Sequence, residues 1–189
     1  MFTVEKRNIV LVEPEKPENT GFIARLAYNY DYTLRVVNPD FNLSEARKTA
    51  KNAQEILRNA KIFDEVEEAV EDLEYVVGTK PGRGRKLSGF PARRNTSVMI
   101  GRESSGLSNN ELELCDAVVH IHTPGYQSLN QSHAAAILLY GLRNPDKPGI
   151  TGKQKEKLKE VASETVYETL VNANPSKDKV GRIIGDLKK

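Results

Sequence analysis

The sequence predicts an α/β fold, with a largely parallel sheet covered by helices on both faces. Two observations carry this: several short apolar runs of strand length, and stretches of helical apolar spacing that fall between them. Asn8 to Glu13 (NIVLVE) reads as a buried strand, and Pro14 and Pro17 break it before the periodic run Phe22, Ile23, Leu26, Ala27 begins a helix. Leu34 to Asn38 is a second strand. After Pro39, Ser44 to Ala60 carries Ala46, Ala50, Ala53, Ile56, Leu57 and Ala60 at helical spacing. A short acidic helix around Glu65 to Asp72 precedes a strand at Tyr75 to Gly78, and Val98 to Gly101 and Ala117 to Ile121 are two further strands. Ser108 with Glu111 forms a capping box for a short helix ending near Cys115. From Asn130 or Gln131 to Leu142, an Ala-rich run with Ile137, Leu138 and Leu139 reads as a mostly buried helix.

After Asn144 the texture changes. Pro145, Pro148 and Gly149 read as a linker, so the chain divides into a main domain at 1–145 and a helical extension at 146–189. In the extension, Thr151 with Gln154 suggests a second capping box. Leu158, Val161, Ala162 and Val166 make one apolar stripe, and Val180, Ile183, Ile184 and Leu187 make another. Both stripes are expected to dock on the main domain or on a partner subunit.

A length of 189 residues with 38% hydrophobic residues suits one α/β domain with a small appendage. No apolar run approaches the length needed to span a bilayer, and no leader pattern opens the chain, so a cytoplasmic protein without membrane attachment is expected. The single cysteine, Cys115, excludes an internal disulfide and any Cys-pair zinc site. His120, His122 and His133 lack convincing metal-ligand spacing, and no metal is expected. A formal net charge of +2 does not announce nucleic-acid binding, so the placement of charges has to carry any such reading.

Three unusual segments each follow a strand, where open α/β sheets place their ligands. In ENTGFIAR, Asn19 lies near the helix N-cap, Gly21 permits close backbone approach, and Arg25 stands on a following turn. In GRESSGLS, Gly101 and Gly106 bracket a tight turn that carries Glu103 beside Arg102. In HTPGYQSLNQS, Thr123, Ser128, Asn130 and Ser132 offer hydroxyls and amides but no nucleophile, base and orienter set, which excludes a hydrolase triad. Between Thr79 and Asn95 the chain holds Lys80, Arg83, Arg85, Lys86, Arg93 and Arg94 with no acidic residue, an electrostatic footprint for phosphate groups on a flexible loop. Its GRGRK is neither a P-loop nor a dinucleotide fingerprint, and the missing glycine fingerprint after the first strand ranks a Rossmann oxidoreductase last.

In order along the chain, N-x-G-x-x-x-R at Asn19 to Arg25, IGRESSGLS at Ile100 to Ser108, and SLN with its Ala-rich helix at Ser128 to Leu142 resemble the SpoU-type SPOUT methyltransferases. The match runs from about Asn8 to Arg143. Within that family the chain looks most similar to the TrmJ group, on NIVLVEPEKPENTGFIAR, NAQEILRNAKIFD, the VGT followed by arginines at Val77 to Arg85, and HTPGYQSLN. Where the family usually has Ile-Pro, this chain has Ile121 and His122.

The resemblance implies a parallel sheet with flanking helices, closed by a C-terminal deep trefoil knot of the kind that general topology rules count as a rare exception. It implies S-adenosylmethionine as cofactor, held by Thr79, Ile100, Gly101, Arg102, Glu103, Ile121, Thr123, Ser128 and Leu129. It implies ribose 2′-O-methylation of tRNA at anticodon-loop nucleotide 32, with cytidine favoured, by a homodimer. Arg25, Asn19, Glu103, Ser128 and Asn130 are the implied catalytic set, and Arg25, Lys80, Arg83, Arg85 and Lys86 the implied RNA contacts. The alternatives are another tRNA position, ribosomal RNA, or a non-catalytic RNA-binding module of the same fold.

Overall fold

A computed structural model describes residues 7–93, 95–143, 152–164, 166–167 and 177–187. The chain divides into two compact units, Met1–Arg143 and Asn144–Lys189.

Unit 1 is built on a seven-stranded sheet in which every pairing is parallel. The strands are β1 (Arg7–Val12), β2 (Tyr32–Val37), β3 (Lys61–Phe63), β4 (Tyr75–Thr79), β5 (Arg85–Lys86), β6 (Thr96–Ile100) and β7 (Ala117–His120). Their order across the sheet is β3-β2-β1-β6-β4-β7-β5. The helices are α1 (Pro17–Tyr30), α2 (Arg47–Ala50), α3 (Gln54–Arg58), α4 (Val66–Val70), α5 (Asn109–Glu113) and α6 (Gln131–Leu142).

Because side chains alternate along a strand, each central strand feeds both faces. Ile9, Leu11, Leu34, Val36, Val77, Val98, Ile100 and Val119 pack with Ile23, Ala24 and Ala27 of α1 and Ala135, Leu138, Leu139 and Leu142 of α6. Val10, Val12, Val37, Val76 and Met99 pack on the other face with Val66 and Ala69 of α4, Leu112 of α5 and Leu107 just before it. The expected double covering is therefore present, and it fixes the register wherever both faces are buried.

Three local expectations need correction. The first helix starts at Pro17, not at the apolar run, because a proline at the first helical position loses no hydrogen bond and is pre-set for helical φ. Asn19 is therefore the third helical residue, not a cap. The stretch Ser44 to Ala60 is not one helix: α2 ends at Ala50, a 3-10 turn spans Lys51–Ala53, and α3 follows. Lys51 takes φ 51°, a conformation costly for a non-glycine residue, so tertiary packing overrides the helical spacing here. That packing is visible at Gly21, where an added Cβ would lie 2.2 Å from the Ala46 carbonyl oxygen, while the Thr49 hydroxyl donates to the Glu18 carbonyl at 3.0 Å. The close approach allowed by Gly21 thus serves contact between α1 and the α2 segment. Finally, the basic loop is not wholly irregular, since Arg85 and Lys86 form the edge strand β5 against Val119 and His120, and Leu87 and Phe90 are buried.

Unit 2 contains α7 (Gly152–Val161) and α8 (Lys177–Leu187). Leu158, Val180 and Ile184 are buried together, with Val161, Ala162 and Tyr167 packed around them. The two apolar stripes therefore cover each other in part, while Val166 and Leu187 stay exposed. Thr151, one half of the second expected capping box, lies outside the described residues.

Candidate active site

The carboxyl ends of β1, β6, β4 and β7, adjacent in the sheet, all open into loops on one edge, and the three singled-out motifs meet there. The loop after β6 is the centre. It folds back so closely that a Cβ on Gly101 would lie 2.2 Å from the Gly106 carbonyl carbon and 2.3 Å from the Leu107 nitrogen. Only glycine fits that crossing. The capping box then starts α5 as expected: the Glu111 amide donates to the Ser108 hydroxyl at 3.3 Å, and the Ser108 amide donates to Glu111 at 2.7 Å.

Glu103 binds the loop after β1 and the start of α1. Its carboxylate accepts from the Glu15 amide at 2.8 Å, the Lys16 amide at 3.3 Å and the Asn19 side-chain amide at 3.0 Å. Asn19 passes the link on, since its side-chain carbonyl accepts from Asn130 Nδ2 at 3.1 Å. Asn130 caps α6, its Oδ1 accepting from the Ser132 amide at 2.9 Å and the Ser132 hydroxyl at 2.7 Å. Glu103, Asn19 and Asn130 therefore form one continuous chain of hydrogen bonds across three motifs. In return, the Glu15 carboxylate accepts from the Ser104 amide at 3.1 Å and from its hydroxyl.

Arg102 acts as a second tie. It pairs with Glu13 at 2.7 Å and bidentately with Glu111 at 3.1 and 2.9 Å, which holds the guanidinium firmly protonated. Burial works against the Glu111 charge, but the Arg102 pair and the bonds from Ser108 outweigh it and hold the carboxyl below its ordinary range.

Between the loops after β4, β6 and β7 lies a cleft of about 170 Å³. Of the sequence-predicted cofactor residues, Thr79, Ile100, Gly101, Arg102, Glu103, Ile121, Ser128 and Leu129 line it. Thr123 does not line it, and its hydroxyl donates to the Tyr126 carbonyl at 3.0 Å. The walls combine apolar Ile100, Ile121 and Leu129 with polar Thr79, Ser128 and Gln131, a lining suited to a small ligand with both apolar and polar parts. The buried Gln131 Oε1 has no hydrogen-bond partner, so a donor on such a ligand fits what the cleft lacks.

The four residues of the loop after β4 named as RNA contacts divide into two sets, and Arg94 lies outside the described residues. Lys80 donates to the Leu107 carbonyl and Arg83 to the Asn109 side chain, so both fasten the loop after β4 to the segment entering α5. Arg85 and Lys86 are exposed on β5. Arg25 is exposed on α1, does not line the cleft, and makes no hydrogen bond or ion pair among the described residues.

Glu15 and Gln131 are among the residues of the site that escaped the sequence reading. Glu15 carries no local signal, because its partners Glu103 and Ser104 lie far along the chain. Gln131 does carry one: it opens the buried face of α6 that continues as Ala135, Leu138, Leu139 and Leu142, and a polar residue in register with such a face marks a satisfied or ligand-facing group.

Comparison with known proteins adds to this geometry. The family model described as the SpoU rRNA Methylase family matches residues 6–140. A tRNA (cytidine-2′-O-)-methyltransferase TrmJ of Methanocaldococcus jannaschii is 36% identical over 150 residues, 70% of this chain and 65% of that protein. The chain thus spans just under two thirds of that relative. The TrmJ of Sulfolobus acidocaldarius, with the same description, is 33% identical over 186 residues, 89% of this chain and 79% of that protein. Among solved structures, the SpoU methyltransferase AviRb from Streptomyces viridochromogenes in complex with AdoMet superposes with a TM-score of 0.63 at 26% identity, covering 71% of this chain and 58% of that one.

Proposed function

The chain belongs to the SpoU rRNA methylase family, and from that premise we propose that it transfers a methyl group from S-adenosylmethionine to a ribose 2′-hydroxyl of tRNA. The finer reading is a cytoplasmic homodimer acting on anticodon-loop nucleotide 32, with cytidine favoured. Cytidine is supported by relatives described as tRNA cytidine 2′-O-methyltransferases; nucleotide 32 rests on the motifs that resemble the TrmJ group. The observation that carries the activity is the hydrogen-bonded chain Glu103, Asn19, Asn130 at the rim of the cleft, which holds all three motifs in one arrangement.

Thr79, Ile100, Gly101, Ile121, Ser128 and Leu129 would hold the cofactor through the cleft walls, with Glu103 and Arg102 fixing the loop that forms one of them. Bound there, S-adenosylmethionine supplies an electrophilic methyl group on a positively charged sulfur. The chain's own task is then orientation of a ribose hydroxyl, which contributes much of the rate in such a displacement. Arg25 binds the phosphate next to the target ribose and organises loss of the hydroxyl proton to that phosphate or to water; a guanidinium with a pKa above about 12 is no general base. Asn19 and Asn130 act as positioning residues, since their side-chain amides are taken up by the chain itself. The proposed reaction requires no metal. A target in a loop also keeps the cost of unstacking its base low.

A second copy completes the site. Arg25 does not line its own cleft, and α1 and α6, which pack against each other, expose Phe22, Tyr28, Ile137 and Tyr140. Apolar residues of this size on two packed helices fit a second copy, which would set Arg25 of one beside the cleft of the other. The deep knot belongs to the same reading. It is supported by the segment after β4, whose strand β5 pairs with β7 while Leu87 packs into the core that includes α6.

The test is methyl transfer from labelled S-adenosylmethionine to unmodified tRNA, with wild type beside Arg25→Ala and the modified nucleotide mapped. Methylation at ribose 32 that vanishes in the variant is the expected result. Methylation elsewhere, or only of ribosomal RNA, overturns the substrate reading, and absence of cofactor binding overturns the enzyme.

A further inference from the structure

Gln131 is the first residue of α6 and is 5% exposed. A glutamine amide has two N–H donors and one acceptor oxygen, and burial obliges both ends to find partners. One end is settled: Nε2 donates to the Gly101 carbonyl at 2.9 Å. A carbonyl only accepts, so this bond fixes which way the amide faces. Oε1 is then turned away from Gly101, buried and without a donor. The residue lines the same cleft as Thr79 and Ser128, neither of which bonds to its Oε1, and as Ile100, Ile121 and Leu129, whose side chains have no donor to offer; the Arg102 guanidinium there is already held by Glu13 and Glu111.

We propose that Gln131 is a ligand-reading residue, whose Oε1 accepts a hydrogen bond from an amino group of the molecule bound in the cleft. The proposal rests on the reading of that cleft as the S-adenosylmethionine site. The ligand then has two amino groups of the right chemistry, the 6-amino group of adenine and the α-amino group of the methionine part. Whichever one is bound, Gln131 couples it to Gly101, the residue whose crossing with Gly106 and Leu107 shapes the loop after β6. Ligand recognition and loop geometry therefore share one side chain. A ligand that presents an acceptor at that position meets oxygen with oxygen and is rejected.

The experiment is calorimetric binding to the full chain of three ligands: S-adenosylhomocysteine, its analogue with the 6-amino group replaced by hydrogen, and its analogue lacking the α-amino group. Each is measured with wild type, with Gln131→Met, which keeps the volume without the amide, and with Gln131→Glu, which keeps an acceptor. Ligand-free melting of each variant reports on the fold. Wild type should bind one analogue about tenfold more weakly than the parent, Gln131→Met should bind that analogue and the parent alike, and Gln131→Glu should still discriminate. If Gln131→Met does not fold, Gln131→Ala, which also lacks the acceptor, takes its place in the comparison. Equal weakening for all three ligands, or no discrimination by wild type, overturns the role of Gln131 and leaves the cleft reading standing. Failure of wild type to bind S-adenosylhomocysteine overturns both.

Discussion

Asn19 and Asn130 stand 111 positions apart in the chain, and their side-chain amides meet at 3.1 Å. Asn19 is buried and uses both ends, donating to Glu103 while accepting from Asn130. Asn19→Ala leaves Asn130 Nδ2 without its acceptor and removes one of the three donors to Glu103, and should cost about 1–3 kcal/mol of stability in urea unfolding. Asn19→Asp should be worse, because it sets a carboxylate against Glu103 in place of a donor. An aspartate variant as stable as wild type would contradict this orientation.

Arg25 presents the opposite case. It is exposed and has no partner among the described residues, so Arg25→Ala should leave stability within about 0.5 kcal/mol and leave S-adenosylmethionine affinity unchanged. Methyl transfer should nevertheless fall by about 100-fold or more, since only the reacting geometry loses a group. Parallel measurement of melting, cofactor affinity and single-turnover rate separates this outcome from a folding defect.

These two residues also mark what the sequence makes legible. Asn19, Glu103 and Asn130 are recognisable as candidates from their motifs, and the capping box at Ser108 and Glu111 is readable because its two halves are three residues apart. The bonds joining Asn19 to Glu103 and Asn130 are not, since they depend on strand order, with β6 inserted between β1 and β4. The central strands are legible because burial on both faces makes them continuously apolar. The edge strands β3 and β5 are not, because Lys61, Ile62, Arg85 and Lys86 are exposed and the strands are two or three residues long. The break at Lys51 escapes for a further reason: the alanines of Ser44 to Ala60 satisfy helical spacing, yet contact with Gly21 redirects the chain.

The Arg102 and Glu111 pair predicts a pH dependence. The folded protein holds the Glu111 carboxyl below its ordinary value of 4.5, so in acid the unfolded chain binds this proton first. The pair's contribution is complete above that value and is lost as pH falls through the depressed one. Asp72, held low by its hydrogen bonds to Arg35, adds a loss of the same sign. Stability of wild type should therefore fall as pH drops below about 5, and that of Glu111→Gln should fall less steeply over the same range, though from a lower plateau. Chemical denaturation at stepped pH measures both slopes.

Cys115 should be slow to react in the native state. Burial, reinforced by the nearby Asp116 and Glu111 charges, pushes its thiol up to about 12. At pH 8 its thiolate population is then about a thousandfold below that of a free cysteine near 8.5, and alkylation by iodoacetamide should slow in proportion. Unfolding in denaturant should restore ordinary reactivity. Fast modification of the folded protein would show that the segment after α5 opens readily.

The division of the basic loop predicts two kinds of mutant. Arg85 and Lys86 extend from an edge strand and are exposed, whereas Lys80 and Arg83 bond to Leu107 and Asn109. If the exposed pair binds phosphates, each neutralised phosphate releases counterions. Arg85→Ala with Lys86→Ala should then lower the slope of log affinity for tRNA against log salt by about 0.7 to 0.9 for every phosphate that is no longer neutralised. Arg83→Ala should weaken tRNA binding by loosening the loop, lower the melting temperature, and leave that slope nearly unchanged. Filter binding across a salt series distinguishes the two, because a residue that only holds the loop changes affinity at every salt concentration alike. A reduced slope for Arg83→Ala, with none for the exposed pair, would reverse the assignment and place the phosphate contact on the arginine that faces α5.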